Sequence, residues 1–219
     1  MRISIDKKVF EQFHGEFFVG CIVCSGMTNK KSSADSEEML RDMEEYVKLN
    51  FNDDTMKTHH LVSAWKAATA HYGDKYHHYH THLESMIKEI LAGKQVAPEN
   101  KLMDLVHFFS LKHIVPLTAI DLSKVGKKLN FTLMSDDVKN ELVFRDETGV
   151  LVRKFAEAKP KDAVTEKTGD ALIYVEGVPP LREDHLDNIL HEMGDLVKVF
   201  CGGKIKRVIL TKHKLSADF

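Results

Sequence analysis

The stretch Glu141-Leu142-Val143-Phe144-Arg145-Asp146-Glu147-Thr148-Gly149-Val150-Leu151-Val152-Arg153-Lys154-Phe155 holds two apolar runs, rich in aliphatic and aromatic residues, around Asp-Glu-Thr-Gly. That pattern is a hairpin signal, with strands expected over 141–145 and 150–155. Outward from it, 128–134 and 171–176 have the same texture, and Gly177-Val178-Pro179-Pro180 stops the second. A long helix follows, with Leu186, Ile189, Leu190, Met193, Val197 and Phe200 at amphipathic spacing and Gly202-Gly203 at its end. A last strand is expected over 207–211.

Upstream of Pro116 the period changes. Residues 2–6 and 17–24 read as strands with a short turn of helix between them. The stretch 33–50 is acidic and helical, with Met39, Met43, Tyr46 and Val47 inward. Its acids Asp35, Glu37, Glu38, Asp42, Glu44 and Glu45 are expected on a solvated face. One helix is expected from Asp54-Thr55 through Trp65 to Tyr72, and others over 82–91 and 101–113. Helices cluster in the N-terminal half, strands late, with one long C-terminal helix. The fold class is α+β with a mixed or antiparallel sheet. The chain is read as a single domain over 1–219, or as two coupled lobes, helix-rich to about 115 and strand-rich from about 116.

The chain has 219 residues, with 31 Lys and Arg against 33 Asp and Glu, a formal charge of −2. Hydrophobic residues at 43% and charged residues at 29% exclude an intrinsically disordered chain. No apolar run approaches the roughly 18 residues of a membrane helix, so no membrane partner is expected. The opening Met1-Arg2-Ile3-Ser4-Ile5-Asp6 carries an acid where a signal peptide would continue apolar. Three cysteines cannot close a disulfide set, and a cytoplasmic location is the expectation. Cys21 and Cys24 make a CxxC spacing, but inside a strand such positions face opposite ways and neither chelate nor cycle together. His77, His78, His80 and His82 are crowded, yet no acid or cysteine stands at ligand spacing, so no metal is assigned. His191-Glu192 is not a zincin motif, since Asp195 occupies the place of the second histidine. Neither a phosphate-binding nor a dinucleotide glycine motif is present, and no cofactor is implied.

Longer stretches carry more information. Asn100-Lys101-Leu102-Met103-Asp104-Leu105-Val106-His107-Phe108 and Pro116-Leu117-Thr118-Ala119-Ile120-Asp121-Leu122 follow one another at a fixed distance. Together they resemble the signature of the B3/B4 editing domain of the phenylalanyl-tRNA synthetase beta subunit. Asp146-Glu147-Thr148-Gly149-Val150-Leu151 is similar to its D-x-x-G strand turn, and Ala171-Leu172-Ile173-Tyr174-Val175-Glu176 to its strand ending in glutamate. His59-His60-Leu61-Val62-Ser63-Ala64-Trp65 and His82-Leu83-Glu84-Ser85-Met86 resemble freestanding relatives of that domain.

The resemblance implies hydrolysis of a misacylated tRNA ester in trans, without aminoacylation, on an amino-acid moiety carried by tRNA. It places Glu176 as the carboxylate sensing the misattached side chain, with Asp104 and Asp121 as companion substrate-binding positions. The family histidine in its P-x-H-A motif is Thr118 here, the asparagine of its N-Y pair is His107, and its Trp-rich strand is reduced to Arg153-Lys154-Phe155. Thr118 and His107 are therefore the catalytic candidates, one holding a water by its hydroxyl and one titrating near neutral pH. An activated ester needs an oriented water and charge stabilisation more than a strong nucleophile. The competing reading is a former editing domain that binds an amino acid, RNA or protein without chemistry.

The charges are segregated. Six bases and no acid lie between 198 and 214, namely Lys198, Lys204, Lys206, Arg207, Lys212 and Lys214. A local basic surface is enough for phosphate contact, so weak, salt-dependent tRNA binding is expected through Lys204, Lys206, Arg207, Lys212 and Lys214, with no DNA partner.

Overall fold

A strand buried on both faces needs apolar residues at every position, and Phe18–Ser25 (β2) meets this, with all residues from Phe18 to Cys24 buried. The computed structural model describes residues 1–70, 82–135, 140–153 and 162–219. β2 lies between Ala171–Gly177 (β7) and Lys204–Leu210 (β8), antiparallel to both, and β7 pairs in turn with Leu117–Asp121 (β3). The sheet order is β3-β7-β2-β8.

A second sheet is mixed. Arg2–Ile5 (β1) runs parallel to Lys128–Met134 (β4) and antiparallel to Ser216–Asp218 (β9). Glu141–Arg145 (β5) and Val150–Arg153 (β6) continue it in the order β6-β5-β4-β1-β9. The hairpin forms where the sequence placed it. Asp146 clasps the turn, its Oδ1 accepting the N–H groups of Thr148 (2.7 Å) and Gly149 (3.0 Å) and its Oδ2 that of Gly126 (2.7 Å). Burial alone would raise this carboxyl, but these donors and the Thr148 hydroxyl bring it down to about 2.

The helices are Lys7–Gln12 (α1), Ala34–Asn50 (α2), Asp53–Thr58 (α3), His60–Thr69 (α4), His82–Leu91 (α5), Lys101–His113 (α6) and Glu183–Cys201 (α7). One core joins α2, α5, α6 and α7 to one face of the β2 sheet, through Ile22, Cys24, Ile173, Val175, Leu105, Phe109, Ile189 and Met193. The other face meets the mixed sheet through Val19, Cys21, Leu172, Tyr174, Phe131 and Phe144. The layers are thus helices, antiparallel sheet, mixed sheet. Strands from both ends of the chain enter both sheets. Cys21 and Cys24 fall in different cores, as strand alternation requires.

Several expectations change. The helix expected from Asp54 to Tyr72 is two helices: Asn52 caps the first through Asp54 and Thr55 N–H, and His59 is extended between them (φ −57°, ψ 130°). The Thr58 hydroxyl donates back to the Asp54 carbonyl (2.9 Å), a local bond that competes with helix continuation. Tyr72 lies outside the described residues. In α2, Tyr46 is exposed, whereas Glu44, expected in solvent, is 1% exposed. Glu44 accepts the Val96 N–H at 2.7 Å and pairs with Arg41 at 2.8 Å, because the segment after α5 crosses this face. β8 begins at Lys204, earlier than expected, and β3 and β9 are short strands without a readable alternation. No helix among the described residues is long and apolar enough to cross a membrane.

Candidate functional site

β3 and β7 bring Thr118 directly opposite Tyr174. Facing residues of an antiparallel pair share a side of the sheet, and so do residues two apart. Thr118, Tyr174 and Glu176 therefore lie together on the face turned towards the mixed sheet. Tyr174 is 2% exposed, while Thr118 and Glu176 are half-buried. The Thr118 side chain stands beside the Tyr174 phenol. Burial first, and then the Glu176 carboxylate, push the phenol well above its usual range; Asp162 adds to this and the neighbouring Thr118 opposes it. The phenol is a neutral dipole at any working pH. It stands among two carboxylates and a hydroxyl.

Asp162 is the residue that sequence reading missed. It is 1% exposed, and among the described residues neither carboxylate oxygen has a hydrogen-bond partner. Its backbone carbonyl accepts the Asp121 N–H at 2.8 Å, beside a bridge between Ile120 and Ala163 at the outer edge of β3. Burial raises its carboxyl above the usual range. No local pattern around position 162 marks it, since its neighbours come from β3 and β7. Tyr174 was legible in principle, standing two residues before Glu176 on an apolar strand.

The other expected residues are elsewhere. Asp104 is fully buried in the first turn of α6, where Oδ2 accepts the Ser36 hydroxyl (2.8 Å) and Oδ1 the Glu99 N–H (3.1 Å). It ties α6 to the start of α2. His107, on the same helix, is 4% exposed, and its ring centroid lies 5.5 Å from that of His82 on α5. Burial, then the proximity of His82, lower it to about 4 against the pull of Asp104, so it is neutral near pH 7. Its Nδ1 is buried and has no hydrogen-bond partner among the described residues. Asp121 accepts the Ser123 N–H (2.9 Å), the Ser123 hydroxyl (2.6 Å) and the Thr168 hydroxyl (2.6 Å). Although burial raises it, these bonds and Lys124 hold its carboxyl below the ordinary range. The fold thus groups Thr118 with Glu176, commits Asp121 to turn geometry, and puts Asp104 and His107 in the helical layer across the sheet.

The basic segment is also divided. On β8, Lys206 pairs with Val23 and Arg207 with Ile22, so they face opposite sides of the sheet. Arg207 lies against α7, donating to the His191 carbonyl (3.2 Å), with Asp195 at 3.8 Å. Lys212 and Lys214 belong to the turn after β8, closed by reciprocal backbone bonds between Thr211 and Lys214. A cleft of about 350 Å³ opens between α7 and β8, lined by Asp195, Lys198, Gly203, Lys204, Ile205 and Arg207. A second cleft, of about 690 Å³, runs between α3 and α5 past Phe51, Asp54, Lys57, Lys88 and Leu91, away from every expected site residue.

Among the described residues no three His, Cys, Asp or Glu side chains are grouped to hold a metal ion. His77, His78 and His80 lie outside the described residues. Burial raises all three thiols, Cys24 to about 12 and Cys201 to about 11, so none is a nucleophile. No protein-family model matches the chain, and no curated protein is similar enough to be matched to it.

Proposed function

We propose that the chain hydrolyses the ester of a misacylated tRNA, with Thr118, Tyr174 and Glu176 as the face that meets the amino-acid moiety. The observation supporting this is the placement of Thr118 and Glu176 on one face of β3 and β7, either side of a buried phenol. A half-buried carboxylate beside a low-dielectric wall binds an ammonium or a hydroxyl donor of an aminoacyl group more strongly than it would in water. The Thr118 hydroxyl positions the water. In the reaction the water oxygen adds to the ester carbonyl, the bond to the ribose oxygen breaks, and the ribose hydroxyl leaves with the proton. Asp104 and Asp121 act through packing and turn geometry rather than by touching substrate.

The experiment is a panel of mischarged tRNAs incubated with excess protein, following ester loss. Hydrolysis of at least one, reduced on Glu176→Ala or Thr118→Ala, is the expected result. No hydrolysis across the panel rejects the reading, and hydrolysis indifferent to both variants rejects the site.

One observation favours a second reading, a binding module without chemistry: His107 lies across the sheet from Thr118 and is too depressed to act as a base near neutral pH. General base help contributes about 10² to 10⁴-fold, so its loss leaves positioning as the whole of catalysis. Thermal stabilisation by a free amino acid, with no ester cleavage, selects this reading.

A further inference from the structure

We infer that the cleft between α7 and β8 is a phosphodiester-binding site for an RNA backbone, built by Lys198, Lys204 and Arg207. This rests on the tRNA reading above and narrows it. The turn that forms the cleft is made by Gly202 and Gly203, both at positive φ (69° and 80°), a region that costs other residues strain. A Cβ at Gly203 would also meet the Ser25 carbonyl oxygen at 2.7 Å, so only glycine lets the chain double back here. The reversal sets Lys198, in the last turn of α7, across from Lys204 at the start of β8.

Arg207 is held ready. Its stem runs over Gly194, where a Cβ would make only ordinary van der Waals contact with the Arg207 Cδ, at 3.5 Å. The guanidinium is steadied on the His191 carbonyl, with His191 Nε2 3.5 Å from its second terminal nitrogen, and it stays 30% exposed on the cleft wall. Preordering of this kind reduces the entropy lost on binding. Asp195 is the one acid in the lining, 71% exposed and 3.8 Å from Arg207, so the cleft keeps a net charge of two positives. A helix C-terminus favours one nearby lysine by its dipole, which accounts for Lys198 but not for cations on the opposite wall. Lys206, on the other face of β8, is outside this site.

The test uses unacylated tRNA and the whole protein, with affinity followed against salt. Lys198→Ala and Arg207→Ala should each weaken binding about 3- to 10-fold and flatten the slope of log affinity against log salt by about one. Asp195→Asn should tighten binding about 2- to 3-fold, a gain that misfolding cannot produce. Lys94→Ala, three residues beyond the end of α5, is the control and should bind like the parent. Equal binding by all four variants overturns the proposal. So does inorganic phosphate stabilising the protein as strongly as RNA at equal concentration, since the cleft would then take a free anion. Unacylated tRNA carries no ester, so this measurement fails or succeeds independently of hydrolysis.

Discussion

Thr118 and Tyr174 face each other across β3 and β7, yet Tyr174 is 2% exposed whereas Thr118 is half-buried. The asymmetry separates two deletions. Thr118→Val takes the polar neighbour away from a buried phenol and should cost about 1–3 kcal/mol in urea denaturation. Tyr174→Phe leaves a half-exposed hydroxyl that water can satisfy, so about 1 kcal/mol or less is expected. Equal costs would mean that the phenol has another partner.

His107 makes the fold acid-sensitive. Its folded value of about 4 is depressed below the ordinary 6.5. Its contribution is therefore complete above pH 6.5 and is lost as pH falls towards 4. Linkage gives a loss of about 2 kcal/mol between pH 7 and pH 5. His107→Gln, compared with the parent by denaturation at both values, should remove most of that difference; an unchanged pH slope would show His107 already hydrated.

Asp162 has the opposite sign. Burial raises its folded value above the unfolded one, so the folded state holds the proton longer. Stability from this group is present at low pH and lost as pH rises through the folded value. Asp162→Asn should be the more stable protein at pH 8, by on the order of 1 kcal/mol, with the advantage fading towards pH 4. A variant less stable at pH 8 would reveal a cationic partner for the carboxylate.

The thiols should be silent until unfolding. Cys24, at about 12 through burial and then Cys201, has a thiolate fraction near pH 7.5 on the order of 10³-fold below that of a free cysteine. A chromogenic disulfide reagent should therefore read no rapid thiol in native protein and all of Cys21, Cys24 and Cys201 in denaturant. A fast native phase would contradict the burial of all three.

Much of this was present in the chain alone. A period of two or of 3.6 reports which side of an element is apolar, and so α5, α6, β4, β5 and the 146–149 turn could be read directly from residues 82–145 and beyond. The opposed cores of Cys21 and Cys24 follow from the same alternation. Periodicity says nothing about which element arrives on that side. Glu44 is buried because Val96, 52 residues away, lies over it, and Asp162 is orphaned by the strands around it. The separation of His107 from Thr118, and of Lys206 from Arg207, likewise depends on sheet order and register, which arise from contacts far apart in the chain. Local pattern determined most of the elements and the α+β class. Only tertiary packing decided which polar groups share a face, because that requires long-range neighbours that no local window contains.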